Sequence, residues 1–378
     1  MAFLGNGAIN RVNLHYGVQA FAQGAGGIFI LAFLLKAGLS IPATVLTFSA
    51  ILTGRFMMRP AILPLAKLWG LKPMVIIGAL GVACQYPLLP MVHGLGWPLE
   101  ALCFASALGE VFYWASYHAY FSVLGDAEHR GQQIGAREAL VSIIGIVAPL
   151  AGGWALVTLG PGPSFAGVGL IQALSVVPLL GAPNVAIAAV APSAFRSAWP
   201  GIMLQVVDGW LGACFYYFWQ IALFVSLGRS LTAYGGAMAL AAFVGALSGL
   251  ALGRHIDLGH GRRAVLIAYG VTALVILLRA AGVGSPWLAV AANALGPLVG
   301  AMVAAAMMTV FYNLGQSAPC PLRFQIAAEG GWDIGCLAGM LTAAGLVALG
   351  CSLAIPLLLG LAGAGASTWL LWKHYPKA

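Results

Sequence analysis

Positions 110, 113, 114, 117 and 118 read Glu, Tyr, Trp, Tyr and His. On a helix this spacing places all five side chains on one stripe. A carboxylate among aromatic rings can hold a cation, exchange a proton or face a planar substrate. A second stripe repeats the combination: Asp208, Gly212, Phe215, Tyr216, Trp219 and Gln220, with Trp210 and Tyr217 off that face. A third is polar and small, with His15, Gln19, Gln23, Gly26 and Gly27. Further charges sit at Arg137 and Glu138, and at Arg323, Glu329 and Asp333. Each stripe has two readings. It lines a wet cavity, or it packs helix on helix, with Glu110 paired structurally and the amides bonding between helices.

The elements that carry these stripes follow from composition. Charged residues are 7% of the 378, hydrophobic residues 61%, and the mean hydropathy is +0.97. That is too little polar surface for a water-soluble chain of this length, so lipid must be the solvent. Twelve apolar runs are long enough to span: 13–35, 41–58 (continuing to 68), 74–92, 98–124, 133–159, 164–180, 202–227, 232–252, 264–281, 286–314, 322–349 and 352–372. The runs are continuous rather than alternating, which excludes barrel strands. The first run is a full span followed directly by others, unlike a cleaved signal. Against this background each intramembrane charge is costly, about 2.5–3.5 kcal/mol on insertion scales, and is a functional candidate by default.

Charge placement gives an orientation. With both termini in the cytoplasm, all of the 17 Lys and Arg except Lys36, Arg229 and Arg279 fall on the cytoplasmic side. Among the short loops, Arg59, Lys67, Lys72, Arg130, Arg196, Arg254, Arg262 and Arg263 carry the bias. The net charge of +8 then reports topology and contact with anionic lipid rather than nucleic acid. The six cysteines have no paired spacing and read as small buried hydrophobes. No metal-spaced cluster, no Ser–His arrangement near a turn and no phosphate-binding glycine loop stands out, so neither an enzyme nor a nucleotide-driven pump is expected, and no cofactor.

The chain divides at 183–200, which holds three prolines and one charge and separates six runs from six. The expected organisation is a six-helix unit over 1–181, a linker over 182–200 and a six-helix unit over 201–378. The halves echo each other. Val111-Phe112-Tyr113 recurs as Val310-Phe311-Tyr312, and Ile134-Gly135-Ala136-Arg137-Glu138 resembles Ile326-Ala327-Ala328-Glu329. Parallel repeats of this kind place a substrate site between the halves near the midplane.

The loop after the eighth run reads Gly253-Arg254-His255-Ile256-Asp257-Leu258-Gly259-His260-Gly261-Arg262-Arg263. It resembles the signature loop of the major facilitator superfamily, although Leu258 replaces a basic residue and one residue is inserted before Gly261. The copy between runs two and three is eroded: Gly54-Arg55-Phe56-Met57-Met58-Arg59 has no Asp. Gly135, Pro149, Gly152 and Gly153 weakly resemble the antiporter motif, with Ile144 and Ala148 where it has glycines. The resemblance implies an all-α membrane protein of twelve helices in two pseudo-symmetric bundles. It also implies that runs one, four, seven and ten line the pathway, the tenth contributing Asn293, Tyr312 and Asn313.

The expected cavity residues are therefore Gln19, Gln23, Glu110, Tyr113, Trp114, Tyr117, His118, Asp208, Tyr216, Trp219, Gln220, Asn293 and Tyr312. Candidate proton carriers are Glu110, Asp208, Glu138, Glu329 and Asp333. Two gates are expected, Asp257 with Arg262 or Arg263, and Arg137 with Glu329 or Asp333; helix-end anchoring is the other reading of these charges. The functional expectation is a secondary transporter working by alternating access, driven by protons or another coupling ion. It leans to export of an amphipathic or cationic small molecule, as a monomer in a bacterial inner membrane. Import of a sugar or peptide is the rival within that class. A non-transporting assembly or sensor protein, supported by the eroded loop, is the rival outside it.

Overall fold

The computed structural model describes residues 5–125, 130–187, 190–252 and 261–375. Among these, every regular element is a helix. The long ones are α1 (Gly7–Lys36), α2 (Ile41–Trp69), α3 (Leu71–Met91), α4 (Trp97–Leu124), α5 (Arg130–Thr158) and α6 (Pro161–Leu180). After the connecting stretch come α7 (199–226), α8 (Leu231–Leu252), α9 (Gly261–Gly282), α10 (286–317), α11 (Pro321–Ala348) and α12 (Ala354–His374). Among the described residues nine helices are long and apolar enough to cross a membrane. Their outer faces carry exposed Ile143, Trp154, Leu170 and Leu274. Lipid, not water, is the solvent such a surface requires, and the chain is an integral, multi-pass membrane protein.

Local chemistry sets the helix ends. Asn6 accepts from the Ile9 N–H at 3.1 Å and Ser40 from that of Ala43 at 3.3 Å, capping α1 and α2. Proline stands in the first turn of α4, α6 and α11, where its missing N–H costs nothing. Among the helical irregularities are two in α1 and α7. α1 breaks at Gly26 and passes through a 3₁₀ turn at Gly27–Phe29. α7 contains a π-helical stretch at Ala213–Phe218.

Close packing joins elements distant in sequence. α7 and α11 approach until backbones touch: a Cβ at Gly335 would lie 1.8 Å from the Val206 carbonyl oxygen, and one at Gly209 2.2 Å from that of Trp332. Only glycine permits such an approach. α2 packs along α11 and α5 along α8, so helices from the first half of the chain meet helices from the second. Helix α1 begins, and α12 finishes, at the same end of the molecule. There Asn6 donates to the Leu124 carbonyl, Arg262 donates to the Tyr375 carbonyl, and Tyr120, Leu179, Ala194 and Leu322 share one apolar cluster. This is the terminal end; the α1–α2 and α7–α8 connections lie at the opposite end.

Candidate substrate cavity and ion-pair network

A cavity of about 400 Å³ lies among α1, α2, α3, α4, α5 and α7. Gln19 and Gln23 of α1, Gln85 of α3, Ser106 and Glu110 of α4, and Gln220 of α7 supply its polar wall. Tyr16, Phe48, Trp114 and Tyr217 supply its aromatic wall. Phe48 and Tyr217, one from each half of the chain, approach to 4.2 Å between ring centroids. The break in α1 shapes this wall, since the Gln23 amide folds back over Gly27, where a Cβ would lie 1.7 Å from Oε1. Tyr86 donates to that same Oε1 at 3.4 Å. The lining can offer amide and hydroxyl bonds, ring faces and one carboxylate.

Towards the terminal end the cavity meets a chain of buried charges. Arg55 bonds Glu110 at 2.6 Å and reaches Asp333 at 3.0 Å. Arg59, one helical turn on, reaches Glu329 at 3.3 Å and also pairs with Asp333. The order is thus Glu110, Arg55, Asp333, Arg59, Glu329, from α4 through α2 to α11. Side-chain exposure is 1% for Asp333 and 19% for Glu110, so the network is sealed at its centre and open at its cavity end. Trp332 covers it from the side, with the Arg55 guanidinium 5.5 Å from its ring.

Towards the opposite end the contact is apolar. Phe29 and Leu34 of α1, Phe218 and Phe224 of α7, and Tyr234 of α8 belong to one buried cluster. Phe29 and Phe224 each set an edge against Tyr234, at 5.6 and 5.8 Å. The Tyr234 hydroxyl donates to the Ile28 carbonyl at 3.2 Å, a group inside the 3₁₀ break of α1.

The expected site residues distribute unevenly. Gln19, Gln23, Glu110, Trp114 and Gln220 line the cavity. Tyr113 and Tyr117 do not; both are fully buried and stacked on each other at 5.4 Å. Tyr113 bonds His15, whose other ring nitrogen donates to the Ser175 carbonyl at 2.7 Å. His118 stacks on Trp114 at 5.7 Å. Trp219 is buried and donates to Asn293, which donates to the Ala237 carbonyl, so both serve helix packing. Asp208 accepts from Trp332, and Tyr216 is exposed. Neither these two nor Asn293 reaches the cavity wall. The side chain of Tyr312 lies outside the described residues.

One of the two expected gates is not formed in this structure. Arg137 does not reach Glu329 or Asp333. It bonds its neighbour Glu138 at 2.7 Å and Tyr117 at 3.3 Å, and lies over Tyr16. The reason is local: the rings of Tyr16, Tyr117 and Phe121 form a trough on the same side of the chain, and Arg59 already occupies the α11 carboxylates. Asp257 lies outside the described residues. Arg262 donates to the Tyr375 carbonyl and covers Trp372, and Arg263 is exposed.

Besides Tyr16, Phe48, Gln85, Ser106 and Tyr217 of the cavity wall, the sequence reading did not select two members of the ion-pair network, Arg55 and Arg59. Both sit inside α2 rather than in a loop. The signal was present: two arginines at i and i+4 at the end of an apolar run. Arg279, read above as an externally placed charge, is buried. It donates to the Phe215 carbonyl in the π-helical stretch and lies 3.9 Å over that ring.

No family model matches the chain, and no curated relative does. Solved structures do. The human organic anion transporter MFSD10 (TETRAN) superposes with a TM-score of 0.69 at 16% identity, over 97% of this chain and 99% of that one. A D-xylose–proton symporter gives 0.67 at 13%, over 98% and 97%. A bacterial homologue of the iron transporter ferroportin, in an inward-facing state, gives 0.65 at 15%, over 97% and 98%. The chain shares the fold of these solved structures.

Proposed function

We propose that this chain is a secondary active transporter of a small molecule, working by alternating access between two six-helix bundles, 1–181 and 201–378, joined by 182–200. The single observation that supports it most is the position of Glu110. This carboxylate lines a cavity between two half-to-half contacts and is also the first member of the network that holds one of them. A group so placed can register cavity contents and bias a two-state equilibrium, which alternating access requires. Proton coupling through Glu110, cytoplasmic termini, a bacterial inner membrane and export of an amphipathic or cationic compound complete the reading. Its support is the lone carboxylate among Tyr16, Phe48, Trp114 and Tyr217. The solved neighbours are titled as transporters of an organic anion and of D-xylose, among others, and their range leaves the cargo to this cavity.

A second reading has its own observation. Gln19, Gln23, Gln85 and Gln220 put four amides on one wall, which suits a hydroxylated nutrient taken up with a proton. Flux into and out of proteoliposomes under an imposed proton gradient tests both, with a panel of lipophilic cations, sugars and peptides. Gradient-driven movement of cations supports export, and accumulation of sugars or peptides supports import. Absence of gradient-driven flux for every compound leaves the non-transporting alternative.

A further inference from the structure

The terminal-end network is unbalanced. Among the described residues it holds three carboxylates, Glu110, Glu329 and Asp333, against two guanidiniums, Arg55 and Arg59. Fully ionised, it would bury one negative charge in excess, and an uncompensated buried charge costs several kcal/mol. Among the described residues no further charged group forms an ion pair with it. Tyr86 and Tyr217 lie near Glu110, and Cys336 near Asp333. Asp208 is engaged by Trp332, and Arg137 is held by Glu138 and Tyr117. Arg323 begins α11, buried and with interactions of its own. His118, another titratable neighbour, lies within electrostatic reach of Glu329.

We infer that the contact between α2 and α11 closes with the uptake of one proton onto the carboxylates of this network, so that the gate is itself the coupling site. This rests on the transport reading only for its purpose. The physical statement concerns the closed state alone. When α2 and α11 part, the carboxylates and guanidiniums meet water and no charge needs balancing. When they meet, one proton makes the network neutral. The closed form therefore binds one proton more than the open form, and its share falls as pH rises. A proton delivered from the cavity side through Glu110 would be released at the terminal end on opening.

The test is a distance distribution between spin labels at Lys67 and Ser317, exposed on the terminal ends of the two halves, in lipid nanodiscs from about pH 5 to 9. In the wild type the closed-to-open ratio should fall as pH rises, approaching about tenfold per pH unit for one proton. Glu110→Gln and Glu329→Gln each leave two carboxylates against two guanidiniums, and each should be closed with little pH dependence. His118→Asn should keep the wild-type slope. A flat wild-type profile overturns the inference, as does a slope retained in either Gln variant or lost in His118→Asn. If the slope is present but no compound is transported, the transport reading fails and proton-linked closure stands. If transport is present without the slope, the closure fails and the transport reading stands.

Discussion

The two ends of the cavity are held by different physics. At the terminal end α2 meets α11 through buried charges: Arg55 and Arg59 against Glu110, Glu329 and Asp333. At the opposite end α1 meets α7 and α8 through Phe29, Phe224 and Tyr234, with a single hydroxyl-to-carbonyl bond. There Lys36 and Arg229 stay exposed. Buried ion pairs contribute little net stability when complete but cost much when one partner is lost. An aromatic contact contributes in proportion to area and is indifferent to protonation. The first contact suits a switch that responds to charge. The second suits a plain closure whose strength is set by shape.

Substitutions at the charged end should therefore have the larger effects. Asp333 makes two of the three ion pairs that join α2 to α11, so Asp333→Asn keeps the network neutral but leaves Arg59–Glu329 alone to hold the two helices, whereas Glu110→Gln cuts none of the three. Loss of one member of a buried pair costs about 3–5 kcal/mol, a shift of about two to four orders of magnitude towards the terminal-open state. The same spin-label distances would read it, and an unchanged distribution would mean that the ion pairs do not hold that end. Phe29→Leu at the opposite end removes a ring while keeping most of the volume. It should favour opening there by no more than about 1.5 kcal/mol, read by labels at Lys36 and Arg229, with no change at Lys67 and Ser317.

Tyr234→Phe removes only the hydroxyl that bonds the Ile28 carbonyl, for a loss of about 1 kcal/mol, and its effect should not vary with pH. A pH-dependent effect would mean that the opposite end also senses charge. The smallest effect is expected for Arg137→Gln. Arg137 pairs within the first half of the chain, so the open–closed equilibrium should move by less than about 0.5 kcal/mol. A shift as large as that of Asp333→Asn would restore Arg137 as a gate between the halves.

Particular residues mark how far the sequence could be read. Glu110, Trp114, Gln19 and Gln23 were legible as cavity candidates because an acid, an indole and amides are costly against lipid. The neighbouring Tyr113 and Tyr117 were not separable from them by spacing. They share the helical stripe of Glu110 but are buried against His15, Tyr16 and each other. A stripe fixes a direction from one helix axis, and what stands opposite is set by other helices. Arg59 was read among the short-loop charges because it stands just past the end of the 41–58 run. The continuation of α2 to Trp69 places it in the interface instead.

By itself the sequence determined the solvent, the helical elements and the scarcity of charge, since these follow from local hydropathy, run length and composition. It also carried enough resemblance to imply the fold that the solved neighbours share. Only the tertiary structure decided which charges meet. Arg55 and Asp333 are far apart in the chain, and nothing local to either specifies the other. Their meeting depends on where α2 lies along α11, and that is fixed by the packing of whole helices, through close approaches such as Gly335 on Val206. Partner choice among a few buried charges is a property of that packing, because each pair forms only where two rigid helices bring its atoms within hydrogen-bond reach.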